Sequence, residues 1–97
     1  MKKHYVLTQK IIDKAVKNYE PSNPCTTCVI AVCLRTTHKK KAGTFRVALS
    51  LTRNLANDKY AILPQAVREI IRLFDTKKYA AIKPIEFDLD WIENDSL

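Results

Sequence analysis

The stretch from Cys28 to Leu34 constrains the fold most, because every residue in it is apolar or carries sulfur. Such a run has no polar face, so it belongs in the core, and periodicity alone cannot separate a buried helix from a buried strand. Its β-branched side chains weakly favour a strand. The preceding Asn23-Pro24 pair favours a helix, because asparagine caps free backbone amides and proline suits the first helical position. The sequence therefore predicts a short buried helix that begins at Pro24.

All three cysteines lie in or beside this run, which raises the question of a metal or redox site. Cys25 and Cys28 have C-x-x-C spacing, Cys33 follows, and His38 would be a fourth ligand. Against a zinc site, Cys33 lies inside the apolar run, where a free cysteine behaves as a small hydrophobe. We expect no metal and no cofactor, and keep these four residues as the alternative. A redox pair is equally disfavoured, because the strand expected before a thioredoxin-like motif is missing.

The charge is distributed unevenly along the chain. Its 97 residues predict a single domain, 1–97. Residues 1–85 hold all 17 lysines and arginines and five of the ten acids, a net charge of +12, whereas residues 86–97 hold five acids and no base. This pattern favours either simple solubility or a basic surface for an acidic partner.

An odd number of cysteines without a signal peptide predicts free thiols and a cytoplasmic location, and no apolar run is long enough for a membrane span.

The remaining patterns predict an α+β fold. Apolar residues at helical spacing predict one helix after the N-cap Thr8 and another after Pro64. Alternating patterns predict strands at His4–Leu7, Thr44–Leu55, Tyr60–Leu63 and Ile85–Trp91. The expected order is β-α-α-β-β-α-β, a small, mainly antiparallel sheet with helices packed on one face. The acidic face of the last strand should then be exposed to solvent.

Basic side chains outside the predicted core are the candidate binding residues. They are Lys39, Lys40, Lys41, Arg46, Arg53, Arg68 and Arg72. The three lysines fall on a predicted loop from Thr36 to Gly43, where they could contact phosphates without reading a base sequence. The single glycine of the chain excludes a glycine-rich phosphate loop. No catalytic residue is assigned and we expect no enzyme, because His38 has no acid or serine beside it in the sequence.

Two motifs resemble small, uncharacterised phage and prophage proteins. The segment Cys28-Val-Ile-Ala-Val-Cys-Leu-Arg35 resembles their Cys-Pro-Ile-Ala-x-Ala-Leu-Arg helix, with valine in place of proline and cysteine in place of alanine. The pattern Leu63-Pro-x-x-Val-x-x-Ile-Ile-x-x-Phe-Asp75, followed by Pro84-Ile-Glu-Phe-Asp-Leu89, resembles their closing segment. The match covers about half of the chain. The resemblance implies a phage or mobile-element origin. Small proteins of that origin often inhibit host machinery, as anti-CRISPR and other anti-defence proteins do, and the same role for this chain is an analogy.

These observations lead to two functional hypotheses. The first is a non-enzymatic phage-type protein that binds and modulates or inhibits a host protein or nucleoprotein through a basic surface. The alternative is a nucleic-acid-binding module that tolerates any DNA or RNA sequence. For stacking on bases it has few aromatic candidates, namely Tyr5, Tyr60 and Tyr79. We expect location in the cytoplasm of a bacterial host and no membrane partner, and a homo-oligomer is compatible with the sequence.

Overall fold

The computed structural model describes residues 1–93; residues 94–97, which include Asp95 of the acidic end, lie outside the described residues. The helices are α1 (Gln9–Asn18), α2 (Pro24–Thr27), α3 (Val29–His38), α4 (Gln65–Asp75) and a short 3₁₀ helix (Tyr79–Ala81). The strands are β1 (Lys2–Leu7), β2 (Phe45–Val47), β3 (Leu51–Asn54), β4 (Lys59–Ile62), β5 (Ile85–Asp90) and β6 (Ile92–Glu93). This architecture confirms the α+β fold class, and the order of elements follows the prediction approximately.

The strands form two antiparallel sheets rather than the single sheet that the sequence predicted. One sheet is the pair β1–β5, and the other has four strands in the order β2-β3-β4-β6. Only Trp91 separates β5 from β6, and its backbone N–H donates to the Met1 carbonyl at 2.9 Å. The last strand therefore changes sheets at Trp91, a change of partner that alternation in the sequence does not reveal.

Helices α1 and α4 form where the sequence predicted them. The Thr8 side chain accepts a hydrogen bond from the Ile11 backbone N–H at 3.2 Å, so it caps α1 as expected. Helix α4 follows Pro64 and buries the stripe of Val67, Ile70, Ile71 and Phe74. This spacing brings the four side chains to one face, which packs toward α3.

The apolar run is helical, as predicted, but the helix is interrupted at its start. Cys28 has an extended backbone (ψ 167°), so α2 ends at Thr27 and α3 begins at Val29. The Thr27 hydroxyl donates to the Asn23 carbonyl at 2.8 Å and also bonds the Glu20 backbone. Side-chain bonds of this kind compete with helix propagation. Helix α3 then continues to His38, three residues into the predicted basic loop.

The segment from Thr44 to Leu55 is a hairpin rather than one long strand. Strands β2 and β3 pair with each other up to Val47 and Thr52, and the Ala48 N–H donates to the Leu51 carbonyl at 2.9 Å. The chain therefore reverses at Leu49-Ser50. Leu49, at an apolar position of the strand predicted from alternation, is 56% exposed.

The core lies between the sheets and the helices. Helix α3 is at its centre, with every residue from Val29 to Leu34 buried, and it packs against β1, β2, α1 and α4. The inner face of the four-stranded sheet contributes Phe45, Val47 and Ala61. Within residues 1–93, none of the helices has the length and apolar character needed to span a bilayer.

Candidate functional site

The outer face of the four-stranded sheet carries side chains that the helices leave uncovered. Because side chains alternate along a strand, the residues that alternate with the buried inner ones point outward. We call this outer surface the open sheet face; it consists of Arg46, Leu51, Arg53, Tyr60, Ile62 and Ile92. None of these six side chains is buried. Two arginines and a tyrosine among aliphatic residues are a composition typical of interfaces.

Strand register places the polar members of this face in one row. Arg46 pairs with Arg53 across β2 and β3, Arg53 with Tyr60 across β3 and β4, and Tyr60 with Ile92 across β4 and β6. Arg53 forms an ion pair with Asp58 in the following turn. Within residues 1–93, Arg46 forms no ion pair, so its charge is available to a partner.

The other predicted binding residues do not join this face. Lys39 ends α3 in the left-handed conformation (φ 57°), and exposed Lys40 and Lys41 follow it. Arg68 and Arg72 lie on α4, which packs against α3 and the 3₁₀ helix. Arg72 bonds Glu69 at 3.1 Å, and Arg68 is half-buried with an Nε that has no partner. The seven predicted residues thus divide among three places, and only Arg46 and Arg53 lie on the open sheet face.

A second feature is a pocket of about 180 Å³ at one end of the four-stranded sheet. We call it the basic pocket; it is lined by Met1, Lys3, His38, Lys40, Asn54, Asn57, Lys59 and Trp91. Its residues come from β1, the end of α3, the β3–β4 turn and the junction between the sheets. Sequence reasoning named only His38 and Lys40 among them, because no local motif links segments this far apart.

A chain of hydrogen bonds orients His38 beside this pocket. The Trp91 indole N–H donates to the Tyr5 hydroxyl at 2.7 Å, and that hydroxyl lies 2.6 Å from Nε2 of His38. Burial, and then the charges of Lys3 and Lys40, lower the pKa of His38, which favours the neutral ring. Burial also raises the pKa of Tyr5 to about 12, so the hydroxyl stays protonated. It can therefore donate a hydrogen bond to Nε2 of His38. The ring proton of His38 is then on Nδ1.

The cysteines lie apart from His38. Cys25 and Cys28 line a different pocket of about 210 Å³, and the Cys33 thiol donates to the Val6 carbonyl at 3.7 Å. Burial raises the pKa of Cys28 to about 11 and that of Cys33 to about 12, so both thiols stay protonated. In the part of the chain that the structure describes, no three His, Cys, Asp or Glu side chains are grouped to hold a metal ion. The candidate set of Cys25, Cys28, Cys33 and His38 is not assembled there.

The acidic face of β5 is exposed, as predicted, but it is not free. Glu86 and Asp88 flank His4 on β1, with Nε2 2.8 Å from Glu86 and Nδ1 2.7 Å from Asp88. Asp90 accepts from the amino group of Met1 at 3.1 Å. The contacts with Glu86 and then Asp88 raise the pKa of His4, and together with the Met1–Asp90 pair they link the acidic strand to β1.

No family model, curated protein sequence or solved structure matches this chain.

Proposed function

We propose that this protein is a non-catalytic binding protein whose open sheet face docks on an acidic surface of a host protein or nucleoprotein and thereby modulates or inhibits that partner. The observation that carries the proposal is the uncovered side of a four-stranded sheet on which two arginines, a tyrosine and aliphatic side chains lie together. A bacterial host as the source of the partner follows from the resemblance to phage and prophage proteins, and it stays a prediction.

The apolar part of the face supports a protein partner. Ile62 is 58% exposed and Ile92 is 36% exposed, and Leu51 lies beside Ile62 across the strands. Contiguous exposed apolar patches mark interaction sites, whereas single exposed apolar residues are ordinary surface. Arginine and tyrosine are also enriched among the residues that dominate binding energy in protein interfaces.

The charge supports an acidic partner. The chain carries a net charge of +7, and Arg46 contributes a cation without an ion pair among residues 1–93. Complementary potentials accelerate association and set the register of the two surfaces. We therefore expect binding that weakens as salt screens the arginines and keeps an apolar contribution at high salt.

Sequence-tolerant binding of nucleic acid is the second candidate. It is favoured by the row in which Tyr60 lies next to Arg53, since aromatic and guanidinium planes on an open sheet can stack on unpaired bases. One aromatic residue is fewer than such stacking surfaces usually carry, so we rank this function below a protein partner.

Capture from a lysate of the bacterial host with matched variants tests the proposal. The wild-type chain should recover a stoichiometric protein that survives nuclease treatment. Arg46→Ala/Arg53→Ala and, separately, Ile62→Ser should reduce its recovery. Lys10→Ala/Lys14→Ala on the exposed side of α1 removes the same charge and should retain the partner.

Three results would count against it. Equal recovery by the arginine variant and the α1 control would remove the open sheet face from the site. Loss with Arg68→Ala/Arg72→Ala alone would move the site to α4. Recovery of only nuclease-sensitive, salt-labile material would favour nucleic-acid binding instead.

A further inference from the structure

We propose that the basic pocket is a binding site for a phosphate group, either inorganic phosphate or the phosphate of a small monoester. The pocket combines uncompensated positive charge with polar side chains whose free atoms are donors. It is distinct from the open sheet face, because Asn54 and Lys59 occupy inner-face positions of the sheet. The inference therefore goes beyond the proposed function and does not depend on it.

The charge of the pocket comes from two lysines without carboxylate partners. Within residues 1–93, Lys3 and Lys40 form no ion pair, although both line the pocket. The other two cations are engaged: the Met1 amino group bonds Asp90 at 3.1 Å, and Lys59 Nζ lies 3.4 Å from Glu93. Two positive charges therefore remain for an anion, and lysine ammonium groups are common phosphate ligands.

The two asparagines offer donors rather than acceptors. The side-chain oxygen of Asn54 accepts from the Ala56 N–H at 2.9 Å, and that of Asn57 accepts from the Lys59 N–H at 3.1 Å. Because a backbone N–H can only donate, these bonds fix which atom of each amide is oxygen. The NH₂ groups of Asn54 and Asn57 are the parts of these side chains left to bind a ligand.

His38 contributes a third kind of donor. Its Nε2 accepts from the Tyr5 hydroxyl, which itself accepts from Trp91, so Nδ1 carries the ring proton. The same chain of bonds holds the ring in place, and a ligand would not have to order it. Preorganisation of this kind lowers the cost of binding.

A pocket of hydrogen-bond donors with excess positive charge favours an anionic ligand with several acceptor atoms. A cation would find no free carboxylate here, since Asp90 and Glu93 are both paired. A carboxylate offers two acceptor oxygens, whereas a terminal phosphate offers three and carries up to two negative charges. Phosphate therefore matches the pocket best in both charge and number of acceptors.

The chain supplies its own probes for a test. Trp91 is the only tryptophan and lines the pocket, so intrinsic fluorescence reports on it. The chain has two histidines, and His4 lies on β1 between two carboxylates, outside the pocket. Titration with inorganic phosphate at constant ionic strength should give a saturable change in Trp91 fluorescence. The ring resonances of His38 should move in NMR spectra, while those of His4 stay in place.

Variants complete the test. We expect Lys3→Ala/Lys40→Ala to bind phosphate about ten-fold more weakly or worse, because it removes two charge-assisted donors. Lys2→Ala/Lys14→Ala, which removes the same charge from exposed positions outside the pocket, should bind like wild type. Thermal melts of both variants establish that each is folded.

A parallel titration with adenosine monophosphate separates the two sources of phosphate. Affinity equal to that of inorganic phosphate would identify the free anion, and tighter binding would identify a monoester; both outcomes support the site. The proposal is overturned if neither probe saturates, if chloride gives the same response, or if the Lys3→Ala/Lys40→Ala variant binds like wild type.

Discussion

At the residue scale, the two histidines show how neighbouring groups favour different charge states of the same type of side chain. Both ring nitrogens of His4 lie within hydrogen-bond distance of carboxylates, and only the imidazolium ion can donate from both. Its bonds to Glu86 and then Asp88 raise its pKa. His38 is half-buried near two lysines, and its pKa is lowered. One histidine therefore favours the charged form and the other the neutral form.

The raised pKa of His4 predicts a pH dependence of stability. The folded pKa lies above the ordinary 6.5, so the stabilisation by His4 is fully present below that value and is lost as pH rises through the folded pKa. The difference in unfolding free energy between wild type and His4→Gln should therefore shrink as pH rises above about 6.5 and passes through the folded pKa. Denaturant unfolding at several pH values measures it, and NMR titration gives the pKa directly.

His38→Gln serves as the control with the opposite sign. Since burial lowers the pKa of His38, its neutral form is favoured in the folded protein, and stability falls as pH drops below about 6.5. The stability of this variant should therefore no longer fall through His38 as pH drops below about 6.5. The pH dependence that arises from His4 should remain. An NMR pKa for His4 at or below the ordinary value would contradict the prediction.

The His38 site also marks the limit of sequence reasoning at this scale. Residues 33 positions apart form the Tyr5–His38 bond, and residues 86 positions apart form the Trp91–Tyr5 bond. In the sequence, His38 has no acid or serine beside it. Tyr5 was predicted to lie outside the core, as a candidate for stacking on bases. Tyr5 is in fact fully buried. Contacts between distant segments depend on how elements pack, which local pattern does not record.

At the element scale, helix positions distinguish two cysteines that the sequence treated alike. Cys28 is the N-cap of α3, where its backbone is extended, whereas Cys33 lies inside the helix and is fully buried. The apolar run predicted burial of both correctly. It did not predict the interruption, because the bonds of the Thr27 hydroxyl to Asn23 and Glu20 depend on the loop that folds back onto α2.

This difference predicts unequal effects of serine. Cys33→Ser should lower the unfolding free energy by about 1–3 kcal/mol, because it places a hydroxyl in the core. Cys28→Ser should cost less, because serine at an N-cap can accept from free amides of the first turn and so offset part of that penalty. Urea unfolding of the two variants beside wild type measures the difference. Equal losses would mean that the break before α3 is misplaced.

The hairpin β2–β3 shows why alternation alone overextended a strand. Tight hairpins usually reveal themselves by Asn-Gly or a similar pair with positive φ. Here the chain reverses at Leu49-Ser50, and neither residue is among those with positive φ. The alternation of apolar and polar residues therefore continues through the reversal, and no turn residue in the sequence marks it. The two-residue period did identify the inward side chains Phe45 and Val47 and the outward Arg46.

At the scale of the whole molecule, Trp91 joins the two sheets. It lies between β5 and β6, its indole bonds Tyr5, and its ring contacts Phe45 and His38. Trp91→Ala should therefore destabilise the protein by about 3–5 kcal/mol, the usual cost of removing a large buried ring. The adjacent Ile92→Ala, 36% exposed, should cost much less. Thermal melts of both variants test this, and similar melting temperatures would show that Trp91 does not join the sheets.

The pairing of β1 with β5 also governs how the chain matures on the ribosome. His4 meets Asp88 across 84 residues, so at roughly 5–20 residues per second the first strand waits about 4–17 s for its partner to be synthesised. Throughout that interval the side chains of Tyr5 and Leu7, fully buried in the finished fold, lack their neighbours on β5. A nascent chain of this protein is therefore a candidate client for chaperones that shield apolar side chains until β5 has been synthesised.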